Sequence, residues 1–345
     1  MPVIFFPVQK TMKPQKRLID EIACMDNLIL AFYKAQKGKA AHPEVLAYRR
    51  RLQANLLDLQ RQIVSGDIET GHARSFTIYD PKKRVICAAP FSQRVLHHAL
   101  MNLCHASFER YQIDQSFASR PGKGTYAALE TARRYHRRYR WFLKLDVRKY
   151  FESIDHEVLK SQLHRLFSDT HLLGIFETII DSHAGSAAGK GVPIGNLTSQ
   201  YFANHYLAAL DHRVREAMHA PAYARYMDDM VLWSDDKTRL LETGRRFQHE
   251  AAANLRLALK PFCLNMSSKG LPFLGYLLYP GHVRLSQRSR KRFIEKSGIY
   301  AEKLMSGEWT QKEYAGHVMP LEAFTGHADS RELRKSVYCR AGIVS

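Results

Sequence analysis

The nine residues Arg225-Tyr226-Met227-Asp228-Asp229-Met230-Val231-Leu232-Trp233 constrain this chain more than any other stretch. Two adjacent carboxylates stand between apolar, β-prone residues. Residues 222–226 and 230–233 each suit a short strand, which puts both aspartates in the turn between them. Neighbouring side chains of a strand point to opposite faces, so a turn is needed to aim both acids at one place. Two like charges this close raise each other's pKa unless a cation intervenes. The pair therefore points to a divalent metal, above all Mg²⁺, which takes carboxylates together with substrate phosphates. A solvated Asp-Asp turn is the competing reading, and a third acid elsewhere is what shifts the balance.

That acid is Asp146. Trp141-Phe142-Leu143-Lys144-Leu145-Asp146 reads as an apolar strand ending in a carboxylate, a common place for a metal ligand. Val147 to Phe151 follow, and Ser153-Ile154-Asp155-His156 opens a helix.

Around these acids the chain reads as one interlocked α+β body with a helical head and a helical tail. Helical periodicity covers residues 15–35 and 43–66, the second stopped by Gly66. Residues 75–79 and 84–88 suit a hairpin around Asp80-Pro81-Lys82-Lys83, whose basic tip suits either phosphate or solvent. A helix over 92–108 carries Arg94. The glycines of Ser119-Arg120-Pro121-Gly122-Lys123-Gly124-Thr125 allow close backbone approach, and Arg120 and Lys123 suit phosphate contacts. The spacing is not that of a P-loop, which argues against an NTPase. Arg133-Arg134-Tyr135-His136-Arg137-Arg138-Tyr139-Arg140 interleaves cations with aromatics. That suits a nucleic-acid backbone, or a solvated helix end favoured by the macrodipole. Residues 184–191 read as a flexible loop, 192–200 as a stretch leading into a helix to about Met218, 237–257 as a helix, and 271–279 as a strand turning at Pro280-Gly281 into a partner ending near Leu285. From Ser286 the chain is helical and basic.

Charge bears on partners. Lys and Arg number 52 against 33 Asp and Glu in 345 residues, a formal net charge of +19, which calls for a polyanion or an anionic membrane surface. No apolar run reaches the length of a membrane span. Met1 to Pro7 is apolar but short and lacks a basic leader, so no signal peptide is expected. The five cysteines are scattered without metal-ligand spacing, as expected of reduced cytosolic thiols. His97-His98 lies in a helical pattern and reads as surface or core, not as a metal site.

Taken in order, these motifs resemble the palm of a reverse transcriptase. Residues 142–146 with Tyr150-Phe151 resemble its first palm motif, and Tyr226-Met227-Asp228-Asp229 matches its catalytic hairpin. Phe273-Leu274-Gly275-Tyr276 resembles its primer-grip hairpin. The likeness spans roughly residues 70 to 285. One departure narrows it: most members have Gln-Gly, then Ser-Pro, where this chain has Ile194-Gly195, then Ser199-Gln200. The stretch 194–200 resembles the reverse transcriptases of diversity-generating retroelements. So do Ser119 to Thr125 and the tail segment Phe324-Thr325-Gly326-His327-Ala328.

The resemblance implies an α+β right-hand polymerase with fingers, a palm with an antiparallel sheet, and a helical thumb. Its expected divisions are an N-terminal helical extension (1–70), interleaved fingers and palm (71–270), and the primer-grip hairpin with thumb (271–345). It implies two Mg²⁺ ions, with Mn²⁺ as the alternative, about 3.5–4 Å apart. Asp146, Asp228 and Asp229 would hold them, with the Val147 carbonyl as a further ligand. Arg84 with Lys82 or Lys83, and Arg94, would hold the triphosphate. Phe151 would gate the ribose 2′-hydroxyl, with core packing as its other role. Lys260 or Lys269 would protonate pyrophosphate. Ile194, beside Gly195, replaces a glutamine that can hydrogen-bond near the nucleotide sugar. Losing such a bond is worth on the order of 1 kcal/mol, or several-fold discrimination, and the resemblance implies errors at template adenines. The other role for Ile194 is packing. Expected partners are a template RNA, the cDNA or primer strand, dNTPs and a small basic helical accessory protein, in a bacterial cytoplasm and without a membrane. A reverse transcriptase of an antiphage defence system and an inactive nucleic-acid-binding scaffold are the other readings. Intact acids weigh against the scaffold.

Overall fold

The computed structural model describes residues 18–71, 73–79, 84–183, 187–340 and 342. Met1 to Pro7, the hairpin tip with Lys82 and Lys83, and residues 184–186 of the glycine-rich loop lie outside them. The described residues of Met1–Arg120, Asp146–His219 and Arg245–Lys260 form one compact unit; Pro121–Leu145, Ala220–Gly244 and Pro261–Ser345 form the second.

In the first unit, α1 (Leu18–Ile22), α2 (Met25–Ala35), α3 (Pro43–Arg50) and α4 (Leu52–Ser65) replace the two continuous helices expected at the start. An asparagine side chain stands at each break. Asn27 Nδ2 donates to Ile22 O at 2.8 Å, and Asn55 Nδ2 donates to Tyr48 O at 2.9 Å. Each amide captures a carbonyl near the helix end, and Arg51 leaves helical geometry at φ −121°. This competition is characteristic of asparagine. β1 (Arg74–Ile78) and β2 (Arg84–Ala88) pair antiparallel, as expected. α5 (Phe91–Tyr111) is the hub of this unit and packs against α1 to α4.

The chain then enters the second unit with α6 (Thr125–Arg138) and β3 (Trp141–Asp146). It returns to the first for α7 (Tyr150–Ser153), α8 (His156–Leu166), α9 (Thr170–Asp181) and α10 (Leu197–Glu216). Phe108 of α5, Phe167 at the end of α8, Phe176 of α9 and Phe202 of α10 pack edge to face or tilted, with ring centroids 5.4–6.5 Å apart. Asp155 caps α8 by accepting from Val158 N, and Arg256 grips the same carboxylate at 3.0 Å.

β4 (Ala222–Tyr226) and β5 (Asp229–Ser234) follow, then α11 (Lys237–Leu255) and β6 (Cys263–Met266). These strands and β3 form one sheet in the order β4-β5-β3-β6, with β4–β5 and β3–β6 antiparallel. Ala222, Tyr223, Ala224 and Met230 to Trp233 are all buried, so β4 and β5 are covered on both faces. The apolar stripe Ala128, Leu129 and Ala132 of α6 is buried as that helix packs on β4. Gly244 lets α11 approach β3: a Cβ there would lie 2.6 Å from Leu143 Cδ1.

The segment 271–279 differs from its expected form. It is not one strand but a hairpin of β7 (Leu271–Phe273) and β8 (Tyr276–Leu278), joined to β9 (Val283–Leu285). Leu274 and Gly275 both take positive φ, 49° and 89°, which is the two-residue turn that suits strand twist. Leucine pays backbone strain there, so β-propensity points the wrong way. The tail forms α12 (Gln287–Met305), α13 (Gln311–Gly326) and α14 (Arg331–Arg340). Among the described residues no helix is long and apolar enough to cross a membrane.

Candidate active site

The second unit carries the Asp-Asp hairpin. Tyr226 pairs with Asp229, so Asp229 is the first residue of β5 and only Met227 and Asp228 form the turn. Met227 takes φ +55°, and the buried Arg225 donates from Nη1 to Met227 O at 3.1 Å, which secures that conformation. Asp228 and Asp229 are half-buried. Lys144, reaching from β3, lies 3.0 Å from Asp229 Oδ1 and donates to Oδ2 at 3.1 Å. The same ammonium donates to Pro272 O at 2.7 Å and lies 5.9 Å from the Phe273 ring centroid. At the other side of the hairpin, Thr125 Oγ1 donates to the Tyr226 hydroxyl at 3.1 Å.

Phe273, Leu274, Gly275 and Tyr276 share one turn of the β7–β8 hairpin. Tyr276 stacks on Phe324 at 4.6 Å and donates to its carbonyl at 2.8 Å. A Cβ on Gly275 would meet Phe324 Cζ and Ser289 Oγ at 2.9 Å. The tail segment 324–328 therefore supports this turn, and its His327 stacks on Tyr126 at 3.9 Å.

The first unit carries the other candidates. Asp146 ends β3 with its carboxylate 37% exposed; Lys260 Nζ donates to Oδ2 at 2.7 Å, and Lys260 N to Asp146 O at 2.9 Å. Val147 is buried and bridges Leu259. Phe151 is half-buried, edge-on to Tyr150 at 5.7 Å, and its carbonyl accepts from Val192 N at 2.8 Å. Ile194 O accepts from Cys87 N at 2.9 Å, and Asn196 Oδ1 accepts from Ala89 N at 3.3 Å. The loop 192–196 is thus stitched to Phe151 on one side and to β2, which carries the exposed Arg84, on the other. This brings Phe151, Ile194, Gly195 and β2 together. Arg94 turns elsewhere: Nε donates to Ala89 O at 2.7 Å, and Nη2 lies 3.3 Å from Glu44.

Arg120 departs from the expected phosphate contact. Its side chain is 6% exposed and spends its donors on both Glu109 oxygens and on the carbonyls of Ile113 and Ser116. A guanidinium buried in this way organises the loop and has no face left for a ligand. In the second unit, Lys269 is exposed in a short 3₁₀ turn over Ser267–Lys269.

Lys144, Thr125 and Asn196 were not singled out from sequence. For Lys144 a signal existed: it stands two residues before Asp146 on a strand, so both point to the same face.

Residues 79–278 match the family described as Reverse transcriptase (RNA-dependent DNA polymerase), more than half of the chain. The chain belongs to the reverse transcriptase family. It is 25% identical over 303 residues to Protein YkfC of Escherichia coli (strain K12), covering 73% of this chain and 78% of that protein. It is 24% identical over 135 residues to the Group II intron-encoded protein LtrA of Lactococcus lactis subsp. cremoris, 38% of this chain and 22% of LtrA. It is 30% identical over 88 residues to Nuclear intron maturase 1, mitochondrial, of Arabidopsis thaliana, 26% of this chain and 12% of the maturase. The structure of apo telomerase from Candida tropicalis is similar with a TM-score of 0.51 at 10% identity, over 64% of this chain and 49% of that one. The chain thus spans about half of that telomerase, and the likeness shows the fold, the α+β right-hand polymerase.

Reverse transcriptases use divalent metal ions. The carboxylates of Asp146, Asp228 and Asp229 are hard oxygen donors of the kind Mg²⁺ takes. Among the described residues no three His, Cys, Asp or Glu side chains are grouped closely enough to hold an ion unaided.

Proposed function

We propose that this reverse transcriptase makes cDNA from a retroelement template RNA, that it is of the diversity-generating type, and that it errs at template adenines. The observation that carries the catalytic reading is the pairing of Asp229 with Lys144 and of Asp146 with Lys260. Both acids are partly solvent-accessible, Asp229 is held in place by Lys144, and the more exposed Lys260 is a partner that can yield Asp146 to another cation.

In this reading Asp146, Asp228 and Asp229 supply carboxylate oxygens and Val147 its carbonyl. Two Mg²⁺ ions, when bound, would activate the primer 3′-hydroxyl and stabilise the leaving pyrophosphate. Arg84 with Lys82 or Lys83 holds the triphosphate, and their charge offsets what accumulates on the phosphoryl oxygens; Arg94, engaged by Ala89 and Glu44, takes no part. Phe151 sits against the nucleotide sugar. Lys260, beside Asp146, or Lys269 protonates the pyrophosphate. Phe273 to Tyr276 hold the primer strand. Residues 1–70 form a helical extension, 71–270 fingers and palm, and 271–345 the primer-grip hairpin and thumb. A small basic helical accessory protein shares the template RNA, in the cytoplasm of a bacterial host.

The diversity-generating assignment rests on Ile194 and on the residues around it, Gly195 to Gln200. Ile194 is half-exposed, and its carbonyl is already bonded to β2, so its side chain is the variable element of that contact.

The test is primer extension and RNA binding on one preparation of Asp228→Asn. Mg²⁺-dependent synthesis is abolished while RNA binding largely survives, because affinity is carried by Lys and Arg. Full extension by the variant would sink the catalytic assignment. Sequencing cDNA made on the native flanking RNA tests the subgroup, and an even error spectrum counts against it.

A further inference from the structure

We infer that the C-terminal half of α6, with Trp141 and Lys237, is a docking surface for single-stranded RNA that is separate from the Asp-Asp hairpin. The inference rests on the reverse transcriptase reading above and adds to it a second place where the RNA is held.

Helix α6 begins beside the catalytic hairpin, where Thr125 bonds Tyr226. It ends at the opposite end of the same strands. There Trp233 Nε1 donates to His136 Nδ1 at 3.3 Å, and Tyr135 lies 5.5 Å from the Trp233 ring. Asp229 and Trp233 are four residues apart on β5, about 13 Å along an extended strand. The basic end of α6 is therefore displaced from the acids by the length of β5.

Burial of His136 anchors this end. Its Nε2 donates to Ser267 O at 2.8 Å while Nδ1 accepts from Trp233, and desolvation lowers its pKa, so the imidazole is neutral. With His136 inward, Arg134, Arg137 and Arg138 are exposed, as are Arg140 and Lys237. Among the described residues, none of Arg134, Arg137, Arg138 or Lys237 has a carboxylate within ion-pairing distance, whereas Arg133 at least approaches Glu130 at 3.9 Å. A stable surface of unneutralised cations suits a polyanion.

Aromatic rings choose among polyanions. Tyr135, Tyr139 and Trp141 are half-exposed between the cations. Arg134 lies 5.4 Å from the Tyr135 ring, Arg138 5.4 Å from Tyr139, and Lys237 5.1 Å from Trp141. Rings and guanidinium planes alternating with positive charge stack unpaired bases while they neutralise phosphates. A duplex hides its bases, and a membrane-binding helix would expose an apolar face, which these residues lack.

The experiment compares the full chain with its Arg134→Gln/Arg137→Gln/Arg138→Gln variant. Affinity for an unstructured oligouridine is measured across a salt series. Extension is measured on a short primer–template with no unpaired RNA beyond the copied stretch. Three lost phosphate contacts lower the slope of log affinity against log salt by about two, at roughly 0.7 per contact on a single strand. Extension on the short duplex is unchanged. Photocrosslinking of 4-thiouridine RNA to the wild-type chain labels the peptide containing Tyr135 to Trp141. An unchanged salt slope overturns the inference, and so does an absence of crosslinks in that peptide. An equal loss on the short duplex overturns it too, by placing these arginines in the main cleft. Wild-type chain that fails to extend any primer would defeat the polymerase reading instead, and the crosslink would still judge the surface.

Discussion

The ammonium of Lys144 lies 3.0 Å from a carboxylate oxygen of Asp229 and also donates to the Pro272 carbonyl at 2.7 Å. One cation on β3 thus ties the strand that starts with an acid to the first strand of the 271–278 hairpin. Lys144→Met keeps the aliphatic stem near Phe273 and removes the charge. The pair is about a quarter exposed, so the loss in stability is on the order of 1 kcal/mol, read from urea unfolding. Primer extension falls by more than that loss explains, because both Asp229 and the hairpin lose a common anchor. Wild-type extension at reduced stability would leave Lys144 a purely structural residue.

Gly195 has φ +122°, a region closed to other residues, and a Cβ there would lie 2.9 Å from Ile86 Cγ2 and 3.2 Å from Cys87 O. Gly195→Ala should therefore destabilise by about 1–3 kcal/mol and loosen the Ile194–Cys87 bond. Gly122→Ala is the control: φ is +68° but nothing lies within 4 Å, so only the backbone term of about 1 kcal/mol remains. Thermal melts that rank the two variants equally would contradict the packing argument.

On the proposed reading that Ile194 lines the nucleotide pocket, Ile194→Gln puts a polar group there and lowers misincorporation opposite template adenine, with activity retained. The backbone bond to Cys87 is untouched, and the side chain is half-exposed, so the amide finds water. In a closed, dry site it would instead destabilise by roughly 1–3 kcal/mol. Error frequency opposite each base, on one RNA, is the measurement. An unchanged spectrum in an active variant would make Ile194 a packing residue.

His97 on α5 and His205 on α10 are buried, and desolvation pushes each pKa down from 6.5 to about 4. Both are neutral in the fold and take up protons on unfolding below pH 6.5. Their contribution is complete above the unfolded value and is lost as pH falls from 6.5 towards 4. The slope reaches about 1.4 kcal/mol per pH unit for each histidine. Urea midpoints measured from neutral pH down to about pH 5 should fall accordingly, and less steeply in His97→Gln. A flat profile would mean that these imidazoles are charged in the fold.

Much of the fold is legible in the sequence because it is set by local pattern. The two strands β4 and β5 on either side of Asp228, the strand ending at Asp146, and the helices at 91–111, 197–216 and 237–255 follow from apolar pattern and turn chemistry. The ordered acids also identify the reverse transcriptase family. Tertiary structure decided the rest. Asn27 and Asn55 broke helices whose periodicity ran straight through, and a positive φ at Leu274 split a stretch with strand propensity. Arg120, a phosphate ligand by its setting, was claimed by Glu109. Lys144 met partners 85 and 128 residues away. Apart from the turn at Leu274, in each case a charged or polar group took a partner that folding brought within about 3 Å, and sequence spacing does not encode that proximity.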